Sequence, residues 1–473
     1  MTRQFKFLVG GEWRSSDERV YIANPFNGSA VGVVSIAGEK DIDEAIESSV
    51  DAFSKMRRLS GYERSKILSR IAQSIDKRRT EFAEMITNES GKPIRFSNAE
   101  VDRAISTFSV ASEEATRING EVIPLDNTST VNNRNGIVTR FPIGPVACIS
   151  PFNFPLNLIA HKIAPAVAAG NSFIVKPPPQ SPLTSLLLGE CLVESGLPLG
   201  TINILPASNA AAELLVTDPR IAMLSFTGSA RVGWELKQKA GKKKVVLELG
   251  GNAAVIVDKD ADLKLAIERC VLGGFAFAGQ VCIKVQRILV HKNVYSEFEM
   301  KFLEACSEAK AGNPLETDTI VGPMISLAEA ERVEMWVKEA VAEGANIAWG
   351  GKRKGSMFEP TVLDSIKSSM KVCREEIFGP VVTLQNVSSM EDAVDEVNNS
   401  RYGLQAGIFS SDVNSIMYAY KHLDVGGVIA NDYPTFRVDN MPYGGVKNSG
   451  FGREGVRYSI QEMTEPKLLV LEF

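Results

Sequence analysis

The sequence predicts an α/β fold with two doubly wound parallel sheets and a small β arm that serves oligomerisation. Between 144 and 251, short apolar runs alternate with helical segments, and the alternation resumes after 251. This rhythm is typical of parallel strands joined by crossover helices, which receive ligands at the carboxyl ends of the strands. With 473 residues, of which 44% are hydrophobic and 23% are charged, the chain has the length of two or three globular domains.

The region before this alternation is predicted to be rich in helix. Apolar residues recur at helical spacing from 41 to about 77, and a similar pattern continues from 82 to 107. The polar stretch 120–141 carries short β-like runs, including Val131, and predicts a hairpin that stands apart from the core.

The alternating region predicts the strands of the two sheets. We expect strands of the first sheet at 146–149, 172–175, 202–205, 223–226 and 245–249, with helices near 157–169, 184–194, 210–217 and up to about 240. Strands of the second sheet are expected at 253–257, 288–291, 361–363, 381–384 and 407–409. The prediction is therefore a Rossmann-like dinucleotide-binding domain from 1–117 and 139–247, a catalytic domain from 248–449, and an arm from 118–138 and 450–473.

The charge balance favours small-molecule chemistry over a macromolecular partner. A net charge of -5 gives no basic field for nucleic acid or an anionic membrane. The N-terminus lacks the features of a secretion signal, and no apolar run has the length of a membrane span, so a cytoplasmic protein is expected. The apolar run 468–471 would be an adhesive edge if unpaired, which predicts pairing with another subunit.

Cysteine and histidine usage limits the chemistry that the chain can perform. The six cysteines have none of the short paired spacings of zinc sites, which indicates free thiols in a reducing compartment. Only three histidines are present, and they lie far apart in the sequence. Neither a metal site nor a Ser-His-Asp triad is therefore expected.

Three segments carry groups that suit covalent chemistry. Cys282 ends the small-residue segment Phe-Ala-Phe-Ala-Gly-Gln-Val-Cys, where a thiolate would be accessible to a substrate, although a buried structural cysteine is the alternative. Glu248 ends an apolar strand before two glycines and could act as a general base, or be a surface charge. Asn153 lies between two prolines, where its amide could stabilise an oxyanion or merely complete a turn.

Two further segments suit a dinucleotide. The segment 224–233 is a strand, a glycine turn and a helix start, whose backbone N–H groups could hold a pyrophosphate. Its spacing is not G-x-G-x-x-G, so the signal alone is weak. Lys176 ends another strand, where it could contact a ribose or phosphate, or simply be solvated.

Taken together, these segments resemble the aldehyde dehydrogenase superfamily over nearly the whole chain and in the expected order. The matching blocks are 150–155, 174–177, 226–229, 248–251, 279–282, 375–380 and 441–454. The resemblance implies oxidation of an aldehyde to a carboxylic acid with NADP or NAD. Thiolate attack would be followed by hydride transfer and then by hydrolysis of a thioester.

The resemblance also assigns roles to individual residues. Cys282 would be the nucleophile and Glu248 the general base, while the Asn153 side chain and the Cys282 backbone N–H would form the oxyanion hole. Lys162 would support the site, and Glu454 would assist the base. The cofactor would be held by Ser150, Phe152, Lys176, Phe226, Gly228, Ser229, Leu249, Gly250, Glu376 and Phe378.

The chain departs from the family pattern in two places. Many NAD-preferring members carry a glutamate three residues after the ribose lysine, where this chain has Pro179. Without that carboxylate a 2′-phosphate is not repelled, so NADP is expected at least as much as NAD. Phe152 stands where tryptophan is frequent, and the sequence assigns no effect to that change.

Segments 279–287 and 434–443 resemble the lactaldehyde and glyceraldehyde-type branch, which favours a small uncharged hydroxyaldehyde. Relatives acting on phosphorylated aldehydes often have arginine before the nucleophile, and this chain has Val281. If the substrate is anionic, as succinate semialdehyde is, the candidate contacts are Arg103, His161 and Arg437, whose competing role is salt bridging. The sequence also leaves open a coenzyme A-acylating enzyme, which Glu248 disfavours, and a non-catalytic oligomer. Dimers or tetramers are implied.

Overall fold

Four parallel strands and one short antiparallel strand form the first large sheet of the computed structural model, which describes residues 3–128, 130 and 133–472. Across the sheet the order is Gly450–Phe451, Lys244–Glu248, Met223–Thr227, Val146–Ile149 and Phe173–Lys176. The strand that follows Val146–Ile149 in the chain, Phe173–Lys176, pairs with it on one side, and the later strand Met223–Thr227 pairs with it on the other side. This reversal confirms a doubly wound sheet, which opens a crevice at the carboxyl ends of its strands.

Helices cover both faces of this sheet. They are Glu39–Met56, Gly61–Lys77, Arg79–Ser90, Ile94–Glu114, Asn157–Ala169, Leu183–Val193, the short Leu214–Thr217 after a 3₁₀ turn at Ala211–Glu213, Ala230–Lys239 and Val456–Glu462. Asn157–Ala169 is buried along its whole length because it is apolar on nearly every face. Near the N-terminus lie the short strands Gln4–Phe5, Phe7–Val9, Glu12–Arg14, Arg19–Ala23 and Ala30–Ser35.

The second large sheet has seven strands and is the second doubly wound unit that the alternation predicted. Its order is Asn346–Trp349, Thr361–Asp364, Val381–Val387, Arg287–His291, Ala254–Val257, Gln405–Phe409 and Gly427–Ala430. Every neighbouring pair is parallel except the one formed by Asn346–Trp349. The central strands are buried runs of β-branched residues, as expected when helices cover both faces.

The helices around the second sheet are Leu263–Phe275, Tyr295–Ser307, Leu327–Ala342, Lys371–Arg374, Met390–Asn398 and Val413–His422, and a 3₁₀ turn spans Ala276–Gly279. Two small antiparallel pairs join Arg353–Lys354 to Met357–Phe358 and Tyr402–Gly403 to Val446–Lys447. None of the helices in the described ranges combines the length and apolar character needed to cross a bilayer.

A three-stranded antiparallel sheet forms the predicted arm. Its strands lie in the order Thr464–Glu472, Arg134–Pro142 and Glu121–Pro124. Leu468 and Leu469 are 52% and 55% exposed, so the arm presents apolar side chains that this chain does not cover. Val131, which the hairpin prediction included, lies outside the described residues.

Two sequence predictions differ from the structure. Residues 202–205 are not a strand, because Ile204 makes only isolated bridges to Leu8 and Val175. The segment 450–473 does not belong wholly to the arm, since Gly450–Phe451 pairs with the first sheet and Val456–Glu462 packs on Asn157–Ala169. The helical spacing over 41–107 is confirmed by four helices, and Ser60 accepts the Glu63 N–H where the second of them starts.

Candidate active site

Cys282 follows a tightly constrained turn between two elements of the second sheet region. Phe277 and Ala278 both have a left-handed backbone with φ of 53°, a conformation that costs energy and concentrates at functional sites. A Cβ on Gly279 would lie 2.3 Å from the Gly379 carbonyl oxygen, so only glycine fits there. The Gln280 side chain secures the turn by accepting the Ile325 N–H at 2.8 Å. The turn therefore holds the sulfur in a fixed place.

The Cys282 thiol is half-buried, whereas the other five cysteines are buried. Its Sγ lies 3.1 Å from the Tyr443 hydroxyl. Burial raises the pKa of this thiol to about 11, and the hydrogen bond with Tyr443 opposes that rise. Burial thus favours the thiol form of Cys282, while the Tyr443 hydrogen bond and, less strongly, the charge of Arg437 favour its thiolate.

Glu248 ends the strand Lys244–Glu248 of the first sheet. Both carboxylate oxygens are buried and have no hydrogen-bond partner among the described residues. Burial first, and then the nearby Glu454 carboxylate, raise the pKa of Glu248 well above its ordinary value. A carboxyl with a raised pKa keeps its proton to higher pH than usual and can act as a base once that proton is lost.

Asn153 joins the proline-bracketed loop to the turn that carries Cys282. Its Nδ2 donates to the Gln280 carbonyl at 2.9 Å, while its Oδ1 is buried without a partner in the described chain. One Nδ2 hydrogen is thus committed to the turn, and the second is available as a donor. The contact ties the predicted oxyanion donor to the loop that carries the sulfur.

One cleft of about 890 Å³ brings these groups together. Cys282, Glu248 and Asn153 line it with all ten predicted cofactor residues, which are Ser150, Phe152, Lys176, Phe226, Gly228, Ser229, Leu249, Gly250, Glu376 and Phe378. Its volume is typical of a cofactor site. It lies at the carboxyl ends of the first sheet, where a doubly wound sheet receives ligands.

The cleft walls suit a dinucleotide. Ser229 caps helix Ala230–Lys239, so backbone N–H groups and the positive end of the helix dipole point into the cleft. Lys176 is buried, which lowers its pKa to about 8, and its Nζ donates to Asn209 at 3.0 Å. The Glu376 carboxylate lies against Gly250, since a Cβ there would be 1.9 Å from one of its oxygens, so the two walls of the cleft approach each other closely at this point.

A family model for the aldehyde dehydrogenase family matches residues 13–469. The chain belongs to the aldehyde dehydrogenase family. Among its relatives, a 3-sulfolactaldehyde dehydrogenase of Priestia megaterium is 45% identical over 470 residues, covering 99% of this chain and 98% of the relative. A lactaldehyde dehydrogenase of Methanococcus aeolicus is 40% identical, covering 98% of this chain and 99% of the relative.

Solved structures of the family have the same fold. Aldehyde dehydrogenase 21 from Physcomitrella patens, in complex with the reaction product succinate, is 46% identical with a TM-score of 0.98, covering 100% of this chain and 99% of that chain. Glyceraldehyde-3-phosphate dehydrogenase from Methanocaldococcus jannaschii, complexed with NADP, is 37% identical with a TM-score of 0.93, covering 97% and 100%. The likeness confirms the predicted family and fold class for this aldehyde dehydrogenase.

A buried network of charges lies behind Glu248 in this dehydrogenase. Lys162 Nζ donates to Glu454 at 3.1 Å and to the hydroxyls of Ser225 and Thr227 at 3.1 and 2.7 Å. Although burial alone would raise the pKa of Glu454, the charges of Lys162 and Arg437 hold it well below its ordinary range. Glu454 therefore remains an anion beside Glu248, which keeps the Glu248 proton bound.

The three predicted substrate contacts are all linked to this network. Arg437 donates to His161 Nδ1 at 2.5 Å and to Glu454 at 3.1 Å. Because a guanidinium only donates, His161 Nδ1 accepts, and its Nε2 carries the hydrogen that goes to Asp439 at 2.8 Å. Arg103 also donates to Asp439, at 3.2 Å. Arg103, His161 and Arg437 thus lie together, and none of them lines the large cleft.

Sequence reasoning missed two parts of the site. Tyr443 lay inside a family block, but nothing in the sequence indicated that its hydroxyl reaches Cys282 or that Arg437 stacks 3.6 Å above its ring. The buried ion pair of Lys92 and Glu100 was also missed. Glu100 accepts the N–H groups of Leu156 and Asn157 at 2.9 and 3.1 Å, which holds the segment after Asn153.

Proposed function

We propose that this dehydrogenase oxidises a small hydroxyaldehyde of the lactaldehyde or glyceraldehyde type to the carboxylic acid, using NADP or NAD. The observation that carries the proposal is that Cys282, Glu248 and Asn153 line the same cleft as the ten residues that were predicted to bind the cofactor. The similarity to a lactaldehyde dehydrogenase and a 3-sulfolactaldehyde dehydrogenase supports the substrate class.

In the proposed reaction, the Cys282 thiol releases its proton to solvent and its sulfur adds to the aldehyde carbon. The Asn153 amide and the Cys282 backbone N–H stabilise the resulting oxyanion. A nicotinamide held by the dinucleotide-side residues of the cleft would supply the hydride acceptor that turns the adduct into a thioester on Cys282. In its ionised form, Glu248 then takes a proton from a water molecule that attacks the thioester, and the departing Cys282 thiolate takes that proton, so that the acid and the free thiol are released.

The charged network supports this use of Glu248. The base must bind a proton reversibly in a buried place, and the raised pKa of Glu248 beside the Glu454 anion suits that task. Lys162 positions Glu454 through its three hydrogen bonds. The presence of this base disfavours a coenzyme A-acylating enzyme, in which a thiol takes the place of water.

A second candidate is a semialdehyde dehydrogenase acting on an anionic aldehyde such as succinate semialdehyde. Arg103 keeps a buried Nε with no hydrogen-bond partner among the described residues, but it does not line the cleft. The succinate complex of the similar plant enzyme is in keeping with this substrate class. Val281, which replaces an arginine before the nucleophile, supports the uncharged hydroxyaldehyde instead.

NADP is the cofactor that the local chemistry favours. Pro179 lines the cleft close in sequence to Lys176, together with Pro178 and Gln180. None of these neighbours is a carboxylate that would repel a 2′-phosphate, and the Lys176 ammonium attracts one. NAD remains the second candidate cofactor.

The same proposal covers the roles of the domains, the oligomeric state and the cellular compartment of the enzyme. We assign cofactor binding to 1–117 and 139–247, catalysis to 248–449, and assembly to the arm. The open apolar face of the arm supports a homo-oligomer, with a tetramer as our preferred form. Six free thiols are in keeping with a cytoplasmic enzyme.

The substrate class can be tested with a panel of aldehydes and both nicotinamides, following cofactor reduction by absorbance. We expect the highest kcat/KM with lactaldehyde or glyceraldehyde and NADP, and no requirement for coenzyme A. A highest value with succinate semialdehyde would select the second candidate. A strict need for coenzyme A would reject the hydrolytic reaction.

Cys282→Ser tests the covalent step. A hydroxyl is a far weaker nucleophile than a thiolate here, so we expect aldehyde-dependent cofactor reduction to disappear while NADP binding, measured by fluorescence titration, persists. Cys270→Ser is the control, since that sulfur is buried in the core of the second sheet. Turnover retained by Cys282→Ser would contradict the assignment.

A further inference from the structure

A second cavity, of about 510 Å³, lies at the root of the arm and outside the catalytic cleft. Its walls come from the start of helix Gly61–Lys77, the residues after helix Ile94–Glu114, and the two long arm strands. Arg57, Arg64 and Arg140 line it, and no acidic side chain lines it among the described residues. Three arginine residues therefore line one cavity in a chain whose net charge is -5.

Arg64 is the most enclosed of the three. Its Nε is buried and has no hydrogen-bond partner in the described part of the chain. Burial lowers its pKa, and no carboxylate contributes an opposing effect. A Cβ on Gly170 would lie 2.6 Å from Arg64 Nη1, so the guanidinium sits at the end of helix Asn157–Ala169. That helix end offers only about half a negative charge, which leaves part of the arginine charge uncompensated.

The other two arginines also lack a carboxylate partner among the described residues. Arg140 Nη1 donates to the Gln461 carbonyl at 3.2 Å and to the Thr464 hydroxyl at 3.1 Å, both uncharged acceptors. Arg57 lies 5.4 Å from the centre of the Phe53 ring and forms no ion pair with a described residue.

Carboxylates near the cavity are already engaged elsewhere. Glu63 accepts the Ser60 N–H and hydroxyl at 2.7 and 2.8 Å, where it completes a helix cap. Glu113 and Glu114 both bind Arg117, at 3.0 and 3.4 Å. The cavity is consequently a region of uncompensated positive charge.

We propose that this cavity binds a small polyanion that carries two or more phosphate or carboxylate groups. Guanidinium groups bind such oxygens in pairs of parallel hydrogen bonds, and a partly desolvated arginine gains most from a charged acceptor. A volume of about 510 Å³ accommodates a metabolite-sized ligand but no folded partner. The arginines come from the cofactor-side helices and the arm, so the ligand would bridge these two parts.

Isothermal titration with inorganic pyrophosphate tests the proposal on the full-length enzyme, with NADP present at saturation to occupy the catalytic cleft. We expect saturable binding that weakens as salt is raised. Arg64→Gln and Arg57→Gln should each raise the Kd by about tenfold or more, because each removes a charged donor. Arg58→Gln is the matched control, since Arg58 is exposed, adjacent in sequence and absent from the cavity wall.

Arg57 is exposed, so its substitution is expected to leave the fold intact even if Arg64→Gln lowers the melting temperature. The proposal is overturned if the wild-type enzyme gives no saturable heat, or if Arg58→Gln weakens binding as much as Arg57→Gln. Loss of binding in Arg57→Gln with an unchanged melting temperature and unchanged Arg58→Gln supports it. The measurement needs no turnover, so failure of the proposed aldehyde oxidation would leave its outcome readable.

Discussion

At the residue scale, two groups in one cleft hold their protons for different physical reasons. Burial raises the pKa of the Cys282 thiol and so favours its neutral form, whereas the hydrogen bond with Tyr443 lowers that pKa. Glu248 is held neutral by burial and by the Glu454 anion, which Lys162 and Arg437 stabilise. The carboxyl that is proposed as the base therefore depends on a neighbour that lies 206 positions later in the sequence.

Glu248→Gln tests this arrangement. If Glu248 serves only the hydrolysis step, the variant should still reduce about one cofactor per active site in a burst and then turn over roughly 10²- to 10⁴-fold more slowly. Stopped-flow absorbance distinguishes the burst from the steady state. An absent burst together with a lost steady state would mean that Glu248 acts before hydride transfer.

The pH dependence follows from the sign of the same shift. Because the pKa of Glu248 is raised, the carboxylate form appears only well above the ordinary value of 4.5. The hydrolysis rate should therefore rise with pH through that elevated pKa and fall as pH drops below it. Single-turnover kinetics across pH, in the wild-type enzyme and Glu248→Gln, should show this limb only in the wild type.

At the element scale, the site depends on how one loop is joined to two helices. The segment after Asn153 begins helix Asn157–Ala169, and its first N–H groups bind Glu100 on helix Ile94–Glu114. Lys92 pairs with Glu100 and lies 3.6 Å above the Phe154 ring. The buried ion pair thus fixes the position of the helix that carries His161 and Lys162.

Lys92→Met should destabilise the protein, since it leaves the Glu100 carboxylate buried without its counter-charge. Removing one partner of a buried pair costs about 3–5 kcal/mol. The double variant Lys92→Met/Glu100→Gln removes both charges while a side-chain oxygen still faces the Leu156 and Asn157 amides, so it should recover part of the loss. Thermal unfolding followed by circular dichroism measures both, with the exposed Lys66→Met as control. A melting temperature for Lys92→Met equal to that of the wild type would remove this role.

At the scale of the whole molecule, the two large sheets meet at the residues that are proposed to carry the chemistry. The first sheet reaches Glu248 and the second includes the strand that starts at Ala254. In between, the Glu376 carboxylate accepts the Gly251 N–H at 3.2 Å. The proposed catalytic groups are therefore placed by the junction of the sheets.

Three consecutive apolar residues of the arm strand Thr464–Glu472 are exposed, namely Leu468, Leu469 and Val470 at 52%, 55% and 47%. Leu469, which is 55% exposed, lies on that strand, and Leu469→Asp would place a charge there. Because a subunit interface disfavours an unpaired charge, we expect this variant to form a smaller oligomer than the wild type. Analytical ultracentrifugation measures the change. Leu199→Asp is the control, as Leu199 is 78% exposed and lies outside the arm. An unchanged sedimentation coefficient for Leu469→Asp would show that this strand is not at an interface.

The sequence by itself determined the class of fold, the family and most strand positions, because periodicity and short motifs are local properties that need no distant partner. The strand predicted at 202–205 is absent, because Ile204 in this apolar run makes only isolated bridges to Leu8 and Val175. The sequence also did not indicate that Gly450–Phe451 extends the first sheet.

Only the tertiary structure decided how the candidate groups are tuned. The contact of Tyr443 with the Cys282 sulfur, the effect of Glu454 on Glu248 and the link from Asp439 through His161 to Arg437 all join residues far apart in the chain. A motif names such residues, but burial and through-space distance set their pKa values and their hydrogen bonds. Those quantities exist only once the two sheets have packed together.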